Sequence, residues 1–257
     1  MNPIIVLWAH PRSMSTAIER VMRERGDFYC LHEPYLHYYY LEKTGKELAH
    51  FDSEASHPVT YEGTRDYILN KAEQQPVFIK DMSYYVMPEI LSDTQFCNRI
   101  QHCFLIRNPL QALLSYYKLD NNVSMDEVGL EAQWNLLDGL QKIKTQPVVV
   151  LEAESVQANT EVAMSQFWQK LGLDFVAKAL NWEKETAPDD WKYVEGWHQN
   201  VSGSDGIKPL DRQVLKQAQK EFDQLAKRDP RLTQLLDFHR PFYELIKSAG
   251  QQPALVP

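Results

Sequence analysis

Residues Pro3-Ile4-Ile5-Val6-Leu7-Trp8-Ala9-His10-Pro11-Arg12-Ser13-Met14-Ser15-Thr16 decide the fold. The first seven are almost wholly apolar and rich in β-formers, the pattern of a strand covered on both faces in a parallel sheet. The next seven bring a proline, an arginine and three hydroxyl side chains. They lead into Ala17-Ile18-Glu19-Arg20-Val21-Met22, whose apolar positions fall at helical spacing behind hydroxyls able to cap a helix start. Strand, loop and helix in that order form the opening of a βαβ unit.

The same alternation runs outward from this unit. Short apolar runs recur at 28–31, 76–79, 103–106 and 147–151, each followed by a helix or loop pattern, which predicts an α/β fold with a central parallel sheet flanked by helices. Leu110, Leu113, Leu114 and Tyr117 make one face of a helix beginning near Pro109, where a first-turn proline costs nothing. Amphipathic helices are expected at 128–143 and 162–171, and two more over about 210–247, broken near Asp229-Pro230. Residues 182–209 hold Trp191, Trp197, Gly203 and Gly206 without clear periodicity. A stretch of that length predicts a lid or binding loop. The whole, residues 1–257, is expected to be a single domain.

Composition narrows the function. At 44% hydrophobic and 24% charged residues, the 257-residue chain can bury a substantial core. A formal charge of -8 argues against extended nucleic-acid binding, which draws most of its affinity from a basic surface. Cys30, Cys97 and Cys103 are too few and scattered for a disulfide framework or a zinc site, so no metal is expected. No signal peptide and no membrane anchor is visible, and the expectation is a cytoplasmic protein, monomer or homodimer.

The loop itself points to an anion. Free backbone N–H groups and the positive end of a helix dipole converge on such a turn, to which Ser13, Ser15 and Thr16 add hydroxyl donors and Arg12 adds charge. Helix capping with a solvated arginine would use the same residues. A Walker A glycine and lysine are missing, which disfavours an ordinary ATP or GTP hydrolase. A second element supports the anion: 104–106 carries a strand into Arg107, with Ser115 two turns into the following helix. Open α/β sheets bind ligands beyond the carboxyl ends of their strands, so Arg107 and Ser115 fall on the edge of the first loop and are suited to a second phosphate.

With these segments in view, the chain resembles the sulfotransferase superfamily, whose donor is 3'-phosphoadenosine-5'-phosphosulfate (PAPS). Pro11-Arg12-Ser13-Met14-Ser15-Thr16 is similar to the family's 5'-phosphosulfate loop, P-[KR]-[ST]-G-[ST]-[ST]. Arg107-Asn108-Pro109 with Ser115 is similar to its 3'-phosphate motif, R-[ND]-P…S. Glu33-Pro34-Tyr35-Leu36-His37 and the pair Lys80-Asp81 resemble segments of bacterial and carbohydrate-type members. The resemblance implies a P-loop-NTPase-like three-layer fold and metal-free sulfuryl transfer from PAPS, with the bisphosphate PAP as product, to a hydroxyl or amine of a small-molecule acceptor.

The resemblance also implies roles. Arg12, Ser13, Met14, Ser15 and Thr16 would hold the 5'-phosphosulfate, and Arg107 and Ser115 the 3'-phosphate. Glu33 is the first choice for the base, with His32 and His37 as alternatives, since imidazole titrates near neutral pH. Lys80 either meets the transferring sulfuryl group or pairs with Asp81. Tyr35, Tyr84 and His37 flank the proposed site, and His198 is a candidate for lining the acceptor pocket. Met14 departs from the family's glycine, and a residue with a Cβ resists positive φ. Gln111 stands where an acid is common. The family's C-terminal arginine-lysine-glycine contact has no counterpart here unless residues 203–208 replace it. A non-catalytic phosphate-binding protein and a small-molecule kinase are the alternatives.

Overall fold

The computed structural model describes residues 1–51, 57–143, 147–184 and 187–251. Five strands, β1 (Ile4–Ala9), β2 (Tyr29–His32), β3 (Val77–Met82), β4 (Ile100–Ile106) and β5 (Val149–Glu152), form one parallel sheet in the order β2-β3-β1-β4-β5. β1 sits at its centre and is buried throughout, as its unbroken apolar run requires, and β3 is buried throughout although it carries Lys80 and Asp81.

Period-two alternation sends Ile4, Val6 and Trp8 to one face and Ile5 and Leu7 to the other, and each set seeds a separate core. The first face is covered by α3 (Ser83–Ser92), α5 (Leu130–Lys142) and α8 (Arg231–Gln251), the second by α1 (Ser15–Arg25) and α6 (Thr160–Lys170). That gives three layers. A third cluster joins α4 (Pro109–Tyr117) to α7 (Arg212–Arg228) and α8 through Leu110, Leu113, Phe222, Leu232 and Leu235. No helix among the described residues is long and apolar enough to cross a membrane.

The five expected strands are present, with shifted ends. β4 begins at Ile100, three residues before the apolar run, because His102 is buried, accepting from Trp8 Nε1 at 2.9 Å and pairing with the Cys97 carbonyl at 3.0 Å. The helix expected from residue 128 starts at Leu130, since Gly129 takes φ 81° and ends a separate short turn. A Cβ at Gly129 would stand 3.2 Å from both the His10 and Tyr84 side chains, so only glycine lets this segment pass so close to the anion loop. α2 (Tyr61–Gln74) and α3 were not anticipated: α2 is weakly amphipathic, and α3 opens on two tyrosines and contains Pro88. The C-terminal pair breaks at Asp229-Pro230, as expected.

The irregular segment is more ordered than its composition suggests. Within 182–209 a run of tight 3₁₀ turns spans Asp189–Trp197 and a short helix spans Gln199–Ser202, while residues 185 and 186 of this stretch lie outside the described residues.

Candidate functional site

Parallel register brings the chemistry to one edge. β1, β2, β3 and β4 end at Ala9, His32, Met82 and Ile106, so the anion loop, Glu33 and Arg107 all emerge at the carboxyl edge of the sheet. Between them lies a cavity of about 270 Å³, lined by Arg12, Met14, Ser15 and Thr16 on one side and by Glu33, Tyr40, Tyr84, Tyr85 and Tyr116 on the other. Arg107, Ser115, Trp197 and His198 complete its wall.

The loop is wound tightly. Arg12 and Met14 hold φ values of 62° and 75°, the left-handed region that glycine favours. Met14 therefore adopts the conformation of the glycine it replaces, and its side chain packs against the core on the α1 face, which offsets the backbone cost. The Ser13 amide closes the turn on the His10 carbonyl at 3.2 Å. Ser13 itself is fully buried, its hydroxyl without a partner among the described residues, and does not line the cavity. His10 ties the two anion elements together by accepting the Arg107 main-chain N–H on Nε2 at 3.1 Å. Burial, followed by the charge of Arg107, lowers its imidazole to about 3, which keeps it a neutral acceptor.

Arg12 donates from Nε to the Ser115 hydroxyl at 3.0 Å and from Nη1 to the Trp197 carbonyl at 2.7 Å. Arg107 donates from Nη1 to the Arg12 carbonyl at 2.9 Å and from Nη2 to Gln111 at 3.2 Å. Neither guanidinium forms an ion pair among the described residues, and Arg107 Nε is buried with no partner. The neutral Gln111 leaves the Arg107 charge uncancelled. Burial, reinforced by Arg107, lowers Arg12 to about 10. Burial also lowers Arg107, with Glu154 opposing. Two desolvated like charges therefore face one cavity with no carboxylate paired to either among the described residues.

Across the cavity, Lys80 is fully buried and ion-paired with Glu33 Oε1, while Tyr85 donates to Glu33 Oε2 at 3.0 Å. Burial would raise the Glu33 carboxyl, but Lys80, His32 and Tyr85 outweigh it and hold the group below its usual range. Glu33 is thus a carboxylate facing the cavity. Lys80 pairs with it and not with Asp81, whose two oxygens accept the Tyr35 and Met82 amides at 3.0 and 2.8 Å. Burial and the neighbouring Glu33 push the Asp81 carboxyl well above its ordinary value.

His198 and Tyr84 line the cavity, as expected. Tyr35 and His37 do not. The Tyr35 ring stacks on Tyr61 at 5.6 Å within the core. His37 stacks on His57 at 4.2 Å and lines a neighbouring cavity that shares Glu33 with the first. His32 lines that second cavity too, with both ring nitrogens engaged by Glu19 and His198. Residues 203–208 do not line the main cavity: Gly206 bridges Asn181, and Asp205 accepts the Trp182 amide at 3.2 Å.

Sequence reasoning missed Glu19 and Tyr116 as site residues. Glu19 was legible only through its spacing, three residues after Thr16 and four before Arg23, which stacks all three along one face of α1. Tyr116 follows Ser115 directly and meets Trp197 edge-on at 5.1 Å between ring centroids.

A parallel sheet in this order, with an anion loop after its central strand and helices on both faces, defines the P-loop-like α/β class. The chain belongs to the sulfotransferase family: the family model for the sulfotransferase domain matches residues 3–247. The sulfotransferase domain of the Synechococcus PCC 7002 olefin synthase shares the fold, with a TM-score of 0.50 at 18% identity over 81% of this chain and 85% of that one. Two Arabidopsis thaliana proteins, branched-chain-amino-acid aminotransferase-like proteins 2 and 1, are each 27% identical over 207 residues, or 79% of this chain. The chain spans 36% of the length of each.

Proposed function

We propose that the protein transfers a sulfuryl group from PAPS to a hydroxyl or amine of a small-molecule acceptor. The observation that carries this reading is the pair Arg12 and Arg107, two guanidiniums without a carboxylate partner among the described residues, opening on the cavity that the Glu33–Lys80 pair enters from the other side. The buried Nε of Arg107, without a partner among the described residues, fits an anionic ligand. When bound, PAPS supplies an activated sulfur and a phosphate leaving group.

The residues divide the work by position. Loop amides with Ser15, Thr16 and Arg12 hold the 5' end and neutralise charge gathering on the leaving oxygen, while Arg107 and Ser115 hold the 3'-phosphate. Glu33 accepts the acceptor's proton, and Lys80 fixes that carboxylate and adds positive charge beside the reacting groups. Tyr40, Tyr84, Tyr85 and Tyr116 give the acceptor an aromatic wall. The unit doing this is the single sulfotransferase-like domain of residues 1–257, in a cytoplasmic monomer or homodimer. Its last six residues lie outside those described.

The test is calorimetric titration with PAP and, in parallel, ATP, each without and then with magnesium. Metal-independent binding of PAP, much weaker for ATP, is expected. A magnesium-dependent preference for ATP would overturn the proposal in favour of a kinase.

A further inference from the structure

Four side chains outside the phosphate-holding arginines form one line of hydrogen bonds beneath the anion loop. Thr16 Oγ1 lies 3.2 Å from His198 Nδ1, His198 Nε2 lies 2.9 Å from His32 Nε2, and His32 Nδ1 lies 2.6 Å from Glu19 Oε2. Glu19 Oε1 accepts in addition from Arg23 Nε at 2.8 Å and Trp191 Nε1 at 3.0 Å. All but Thr16 are buried or nearly so, and Thr16 opens on the cavity.

Donor and acceptor counting leaves this line two arrangements. Glu19 is an acceptor only, so His32 Nδ1 carries a proton in both. If His32 is neutral, its bare Nε2 accepts from His198 Nε2–H, the bare Nδ1 of His198 accepts from Thr16, and the threonine proton points away from the cavity. If His32 is imidazolium, its Nε2–H donates to His198, whose proton moves to Nδ1 and is donated to Thr16 Oγ1. The threonine hydroxyl is then free to donate into the cavity. One solvent proton at His32 therefore sets the polarity of a hydroxyl two residues away along the line.

We propose that an anion in the loop selects the second arrangement, so that its binding is coupled to protonation of His32 through His198 and Thr16. An oxyanion needs donors, and only the imidazolium state offers Thr16 as one. This rests on the sulfotransferase reading for the identity of the anion, though not for the coupling itself.

Burial, with the charges of His32 and Lys80, holds His198 well below its ordinary value, so it relays while neutral. Although burial opposes ionisation, His32, Arg23 and Lys80 hold Glu19 well below its own value, so it stays an acceptor. The charged and titratable groups facing the pair come from every packed element: Glu19 and Arg23 from α1, Arg12 from the loop, Glu33 at 3.8 Å after β2, Lys80 from β3, and Asp190 on Arg23 from the 3₁₀ segment. His198 arrives from that same irregular segment, so the relay exists only where the segment docks on the loop. His198 and His32 are positioning residues in this scheme, acting on the anion through Thr16.

Imidazole ¹⁵N NMR of the labelled wild-type protein tests it, with PAP and sodium sulfate as separate probes. In the saturated protein His198 is expected to be protonated at Nδ1 and bare at Nε2, with His32 protonated at both nitrogens. PAP affinity should fall by about tenfold to a hundredfold more in wild type than in Thr16→Val as pH rises past the loss of the His32 proton, the worth of one charge-assisted donor. Titration of the ligand's own phosphates is common to both proteins and cancels. A His198 protonated at Nε2 in the saturated protein, or the same pH dependence in Thr16→Val, would overturn the coupling. Sulfate binding that switches the tautomers while PAP fails to bind would overturn the donor assignment and leave the coupling standing. If neither anion binds, the coupling falls as well.

Discussion

Arg107 reaches back to the anion loop and donates from Nη1 to the main-chain carbonyl of Arg12 at 2.9 Å, so each arginine helps place the other while their charges repel. A polydentate anion relieves that repulsion. The same contact makes the two halves of the proposed nucleotide site, separated by 95 residues, a single object.

Arg107→Ala is expected to weaken PAP binding by roughly 10- to 150-fold, the worth of a lost charge-assisted hydrogen bond of about 1.5–3 kcal/mol. Arg107→Lys should recover only part of this, because a point charge cannot donate to Arg12 O, Gln111 and a phosphate from one plane. Calorimetry on both variants checks it, and equal affinity of the lysine variant and wild type would show that charge alone matters there.

Met14 tests whether the missing glycine impairs the loop. Since Met14 already sits at φ 75°, Met14→Gly should leave PAP affinity within about threefold. Met14→Val, β-branched and strongly averse to positive φ, should weaken it by more than tenfold. A large gain on Met14→Gly would mean that the native loop is strained against its ligand.

What the sequence reveals follows from how local each signal is. β1 and its loop are legible because an unbroken apolar run signals burial on both faces, and Arg107 is legible because it follows a second apolar run. Tyr35 is not: one tyrosine among several near 35–40 looks the same whether it faces Tyr61 in the core or the cavity. Glu19 reads as an exposed helical residue, since the partners that bury it lie 13 and 172 residues away. Lys80 is legible as a charge following an apolar run, but its choice of Glu33 over Asp81 depends on the β2–β3 register, which sets His32 opposite Lys80.

Glu33→Gln is expected to lower kcat by about 100- to 10,000-fold, the usual contribution of a positioned base. It should leave PAP affinity little changed, because the amide keeps an oxygen for Lys80 and the donor is held from the opposite wall. Steady-state kinetics beside calorimetry separates the two. Equal losses in binding and turnover would reassign Glu33 to holding the donor.

The acid limb of stability carries a sign that distinguishes the buried carboxylates. Glu19 and Glu33 are both held below an ordinary value of 4.5, so each stabilises the fold above that value and loses its contribution as pH falls through its lower folded value. Asp81 is raised well above 3.8, so its contribution runs the other way: it is present below 3.8 and lost as pH rises through the higher folded value. Glu19→Gln removes the carboxylate facing Arg23 and His32 and should cost about 3–5 kcal/mol at pH 7, the expected penalty for breaking a buried pair. That difference from wild type should narrow as pH falls below 4.5, because wild type then protonates Glu19 too. Urea unfolding of both proteins at neutral and acid pH measures it. A gap that stays constant with pH would mean that packing and neutral hydrogen bonds, and not the ionised carboxylate, set the stability of this site.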